Sequence, residues 1–193
     1  MPLSVSIMPE LGMAAPTFRL TDVVANRAIS LETFESKQAL LVMFIACHCP
    51  FTRYVLPEIA RIGRDYSQQA VGLVGICASD QVRHPEDGPA GLLRMAERNG
   101  LNFPVCFDET QQVTKAFMAA CTPDFFLFDR DRRLAYRGRL DDTRPESPTP
   151  PTGKYLRQAI DAVLAGLPVG AEQQPSMGCN IKWKFGNEPV YHR

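Results

Sequence analysis

Residues 39–46 (ALLVMFIA) and 71–77 (VGLVGIC) are apolar at nearly every position rather than at alternate ones. That is the pattern of a strand covered on both faces, as in a parallel sheet. Between them Phe51, Val55, Ile59 and Ile62 recur at helical spacing, while Arg53, Glu58, Arg61 and Arg64 fall on the other faces. The pattern predicts strand, helix, strand. Pro50 suits the first helical position, and Pro57, lacking a backbone donor, is expected to kink the helix. Downstream the pattern predicts a helix over 91–99 ended by Gly100, a short strand over 103–107 and a helix over 111–119. Strands at 125–129 and 134–137 flank the polar turn RDRR as a hairpin, and a last amphipathic helix over 155–165 stops at Gly166.

This alternation describes an α/β domain with a central mixed sheet flanked by helices. Ahead of it, residues 12–20 read as an extended lead-in, followed by a short helix near Ser30 with Glu32 and Glu35 in its first turns. The proline-rich stretch 145–151 (PESPTPP) reads as an exposed loop. The expected organisation is one domain over 1–167 and a tail over 168–193 packing on or near it.

Composition narrows the function classes. The chain has 193 residues, 45% of them hydrophobic, which is ample for a packed core. Lys plus Arg and Asp plus Glu both number 21, so net charge argues against nucleic acid and against an anionic membrane surface. The N-terminus lacks the pattern of an export signal and no stretch resembles a membrane span, so the expectation is a soluble, cytoplasmic protein. Six cysteines are too few for a disulfide scaffold, which leaves core filling, metal ligation or redox catalysis.

The candidate chemistry sits where the first strand meets its helix, at Cys47-His48-Cys49-Pro50. A residue before proline is pushed out of the α region, which places Cys49 at the helix N-cap. There unpaired N–H groups and the positive end of the helix dipole favour thiolate over thiol. Arg53, one turn on, is expected to add positive charge. Such a thiolate attacks a disulfide or a peroxide. Against this stand a small buried cysteine with no chemistry and a zinc site of Cys47, His48 and Cys49 with Cys179 or His192, although C-x-C lacks the spacing that wraps a tetrahedral ion. A Cys47–Cys49 disulfide would be strained and labile. Cys77 and Cys106 lie inside apolar strands and read as core.

The run 42–51 (VMFIACHCPF) resembles the active-site segment of thioredoxin-fold proteins of the alkyl hydroperoxide reductase and thiol-specific antioxidant (AhpC/TSA) group, in particular a peroxiredoxin-like branch that reads C-N-H-C-P-Y. The resemblance extends to 11–18, 119–129, 136–142 and 175–183, nearly the whole chain. It implies a thioredoxin-like fold and a redox enzyme without cofactor or metal, whose nucleophile is Cys49. One departure matters: the branch's first cysteine falls on Ala46, leaving C-x-C for C-x-x-C. The surviving Cys49 matches the peroxide-reacting cysteine of peroxiredoxins, which favours thiol peroxidase activity. The alternatives are a thiol-disulfide oxidoreductase and a non-catalytic binding module that lost the first thiol.

The resemblance further implies a cis-proline loop at Thr122-Pro123 facing the cysteine. Cys47, Cys179 and Cys121 are the candidate resolving thiols. Gly138-Arg139 is loosely similar to a glycine-arginine pair that stabilises thiolate and peroxide. Implied partners are a peroxide or protein disulfide, an external thiol reductant such as a thioredoxin-like protein, and a second copy in a homodimer.

Overall fold

The computed structural model describes residues 3–191. Its centre is a five-stranded sheet in the order β6-β5-β4-β8-β9. β4 (Ala39–Phe44), β5 (Val71–Cys77) and β6 (Val105–Phe107) run parallel, and β8 (Asp124–Phe128) and β9 (Leu134–Gly138) are antiparallel. β4 lies in the middle and every one of its residues is buried, which is why the sequence there shows no polar face.

The two faces of β4 feed two cores, as the period-two geometry of a strand requires. Leu41 and Met43 pack under α1 (Pro50–Asp65), α2 (Pro89–Asn99) and α4 (Lys154–Leu164), with Val55, Ile59, Leu92 and Ile160 among the contacts. Leu40, Val42 and Phe44 face the opposite layer, where Phe34 of a 3-10 turn (Leu31–Phe34), Ile29 of the β2–β3 hairpin, Phe117, Ile181 and Trp183 close the core. The hairpin pairs β2 (Arg19–Thr21) with β3 (Ala28–Ser30). α3 (Gln112–Ala116) is shorter than its pattern suggests, because Met118 takes a left-handed φ of 57° and ends it.

The segment read as a tail enters a second sheet. Its β10 (Met177–Asn180) lies between β1 (Leu3–Val5) and β7 (Cys121–Thr122), antiparallel to both. Ile181 and Trp183, 3% and 4% exposed, then anchor the chain in the second core.

Glu58, expected on an exposed face of α1, is a correction. It is buried and ion-paired with Arg61 and, at 2.8 Å, with Arg157 of α4. The pair joins two helices that cover the same sheet face, so charge patterning along α1 alone could not locate it. Pro57 sits inside α1, whose stripe of Val55, Ile59 and Ile62 is buried as the spacing implies.

Candidate functional site

β4 ends at Phe44 and α1 starts at Pro50, so the five residues between them carry the C-x-C segment out of the sheet. Cys49 is the N-cap of α1, with φ −76° and ψ 118°, and its Sγ accepts from the N–H of Thr52 at 3.5 Å. As a thiol it donates to the carbonyl of Thr122 at 3.0 Å. The peptide bond from Thr122 to Pro123 is cis. The Thr122 hydroxyl is buried with no other partner and stands beside the sulfur. Cys49 is 0% exposed.

Cys179 of β10 completes this environment. It lies opposite Thr122 in the β10–β7 ladder, and its thiol and backbone N–H stand close enough to Cys49 to favour its ionisation. Burial by itself would raise the Cys49 pKa. The donors from Thr122, Thr52 and Cys179 outweigh it and hold the thiol below its ordinary value. Cys179 moves the other way, up to about 12, through burial and through the hydrogen bond and charge of Cys49. Cys49 is therefore the more readily ionised of the two sulfurs, and Cys179 the one that keeps its proton.

Cys121 belongs to the same cluster. It is buried, its Sγ donates to the Pro123 carbonyl at 3.8 Å, and burial with the charges of Asp124, Cys49 and Cys179 pushes its thiol well up. Next in sequence to Pro123, Asp124 is fully buried and accepts from the Ser6 hydroxyl at 2.9 and 3.0 Å. The buried Ser176 hydroxyl, with no other partner, also faces it. Burial pushes this carboxyl up to about 7 despite those donors. Sequence reasoning missed Asp124, Ser6 and Ser176, which lie more than a hundred residues or fifty residues apart in the chain and meet only through β1 and β10.

The remaining candidates are engaged by other partners, Arg139 doing so at the edge of a cavity it shares with Pro123 and Ser176. The Cys47 thiol donates to Met95 Sδ of α2 at 3.6 Å, and burial with the nearby Asp87 charge pushes it up to about 12. Arg53, expected to assist Cys49, donates through Nε to the Cys47 carbonyl at 2.6 Å, and its charge acts on Cys47. Arg139 pairs with Asp142 at 2.9 Å and stacks over Tyr155 at 5.4 Å. Cys77 and Cys106 are buried in β5 and β6. Among the described residues no group of three or more His, Cys, Asp or Glu side chains is placed to hold a metal ion, and His192 lies outside those residues.

His48 is buried in the turn before α1. Its backbone N–H donates to Asp87 at 3.0 Å, its Nδ1 bonds the other carboxylate oxygen, and its ring stacks on His84 at 4.7 Å. Burial opposes ionisation of Asp87, but the His48 bonds hold its carboxyl below the usual range. Asp87→Ala would strand two buried donors beside the C-x-C segment. A loss of about 3 kcal/mol of stability is expected, measurable by urea unfolding against Asp87→Asn, which keeps an acceptor and should lose less.

Residues 11–137 match the AhpC/TSA family. The chain belongs to that family. A crystal structure of an uncharacterized conserved protein from Geobacillus kaustophilus superposes with a TM-score of 0.93 at 47% identity, covering 95% of this chain and 97% of that one. A thiol:disulfide interchange protein of the thioredoxin family from Chlorobium tepidum superposes at 0.62 with 16% identity, over 81% of this chain and 99% of that one, and shows the shared thioredoxin-like fold. In sequence, the thiol-disulfide oxidoreductase ResA of Geobacillus thermodenitrificans is 26% identical over 64% of this chain and 66% of its own length. The chain spans between 61% and 66% of the curated relatives it matches. No helix among the described residues is long and apolar enough to cross a membrane.

Proposed function

We propose that this AhpC/TSA protein is a thiol-disulfide oxidoreductase in which Cys49 is the nucleophile and Cys179 the resolving thiol. The observation that carries this reading is the place of Cys49 at a helix N-cap, its thiol held below its ordinary pKa, beside a buried Cys179 set opposite Thr122. The name of the ResA relative supports the same chemistry.

The reaction balances without a cofactor. The Cys49 thiolate attacks one sulfur of a substrate disulfide R–S–S–R′, forming a Cys49–S–S–R bond and expelling R′S⁻, which takes a proton from solvent. The Cys179 sulfur then attacks Cys49 Sγ and passes its proton to the departing RS⁻. The products are two substrate thiols and a Cys49–Cys179 disulfide, which an external dithiol reduces. Two electrons move from the enzyme pair to the substrate.

A thiol peroxidase would share the nucleophile and the resolving step, with a sulfenic acid on Cys49 in place of the mixed disulfide. Family membership and Ala46 at the first motif position support it. Engagement of Arg139 by Asp142 and Tyr155 does not. Single-turnover oxidation of the reduced protein by a peptide disulfide and by hydrogen peroxide separates the two readings. Faster oxidation by the disulfide is expected, and faster oxidation by peroxide at equal concentration would reverse the assignment. The cytoplasm, with its thiol reductants, is the proposed setting.

A further inference from the structure

Cys49 is the sulfur on which the proposed chemistry depends, and it is 0% exposed. What covers it is β10, a short extended strand that carries a cysteine and lies antiparallel to β7 with Cys179 opposite Thr122. We infer that β10 is a built-in stand-in for substrate: it occupies the place where an extended, cysteine-bearing segment of a partner protein adds to β7, and the partner must displace it to reach Cys49. This rests on the Cys49 nucleophile proposed above.

Three observations carry the inference. The cover meets β7 over a short ladder, with Cys179 and Asn180 on Thr122 and Cys121, continued only by the Ile181 N–H to the Ala120 carbonyl at 3.3 Å. A ladder of two residue pairs is the kind of element that opens locally without global unfolding. Its outer neighbour β1 is no firmer, being three residues long with Leu3 and Val5 59% and 47% exposed. The chain on the far side is anchored separately: the Lys182 carbonyl accepts from the Asp80 N–H at 2.7 Å, and Ile181 and Trp183 are buried. β10 is thus held at both flanks, by Ile181 and Trp183 on one side and on the other by buried Ser176, whose carbonyl accepts from the Ser6 N–H at 2.9 Å, so that opening is confined to the short ladder between them.

The second observation is what β10 leaves behind. The backbone of β7 beside Cys49 offers its N–H and C=O groups to any extended chain, the requirement for adding a strand to an exposed edge. A partner cysteine at the Cys179 position would stand opposite Thr122 and beside the Cys49 sulfur, as Cys179 does now.

The third is Gly178. A Cβ built there would lie 2.0 Å from the Thr122 carbonyl oxygen and 3.3 Å from Pro123 N. The strand approaches the loop this closely only because position 178 has no side chain. The closing contact involves no sulfur directly, and it falls on the Thr122 carbonyl that also accepts from the Cys49 thiol.

Gly178→Ala is the test. Reduced wild type and G178A are mixed under native conditions with an extended peptide whose single cysteine is capped as a mixed disulfide with 5-thio-2-nitrobenzoate. Release of the chromophore is timed and the peptide adduct mapped by mass spectrometry. The variant is expected to form the Cys49–peptide adduct about tenfold faster or more, since the competing strand no longer seats, while its Cys49–Cys179 disulfide forms more slowly. Equal rates of Cys49 modification in the two folded proteins would overturn the inference and leave the nucleophile intact. An adduct on a different cysteine in both would instead overturn the reading on which it rests. Should G178A not fold, hydrogen exchange of the wild-type Met177–Asn180 amides decides: bound peptide should raise it, and unchanged protection would count against displacement.

Discussion

Replacing Cys49 with serine is expected to reduce disulfide-reducing turnover to background, a fall of about a thousandfold or more. The size follows from the chemistry of the atom. A serine hydroxyl in this position would meet the same N–H of Thr52 and the same Cys179 donors, but these lower a thiol pKa from an already accessible range and cannot bring an alcohol to comparable ionisation. The same substitution should remove thiolate absorbance. The difference spectrum between wild type and C49S, followed against pH, should titrate below an ordinary cysteine, because the donors outweigh the opposing effect of burial. Cys121→Ser should leave the first oxidative step within a few-fold of wild type, since Cys121 is pushed well up and donates to a carbonyl. A C49S protein that still turned over would place the nucleophile elsewhere.

Cys179→Ser is expected to stop the cycle one step later. The first attack proceeds, because Cys49 keeps its helix cap and the donors from Thr52 and Thr122. The mixed disulfide then has no neighbouring thiol to expel the substrate sulfur. Approximately one equivalent of trapped Cys49–substrate adduct should accumulate, and steady-state turnover with a dithiol reductant should fall about a hundredfold. That figure reflects the loss of an intramolecular thiol held in contact. A Cys47→Ser protein should not trap, because the Cys47 sulfur faces Met95 of α2 and is pushed up to about 12. Trapping in C47S and not in C179S would exchange the roles of the two cysteines.

Much of the fold was legible because its central strands are covered on both faces. β4 and β5 are buried at every position, and such runs announce themselves without alignment or structure. The Cys49 N-cap was legible for a local reason too, since Pro50 constrains the residue before it. The cover over the site was not. β1 and β10 are three and four residues long with mixed exposure, and neither shows a period long enough to separate strand from loop. Their pairing depends on contacts such as Ser6 to Asp124, 118 positions apart. Nor could the reading choose between Cys47 and Cys179. Both stood as candidates, and the direction of the side chains, set by α2 and by the β10 register, favours the second.

The account stands on one pair of sulfurs. Oxidising the reduced wild-type protein with one equivalent of a peptide disulfide, blocking free thiols under denaturing conditions and mapping the digest by mass spectrometry reads that pair directly. The account predicts a Cys49–Cys179 disulfide as the dominant product, with Cys47 and Cys121 recovered as blocked thiols. A Cys47–Cys49 disulfide, or Cys179 recovered free in the fully oxidised protein, would contradict it.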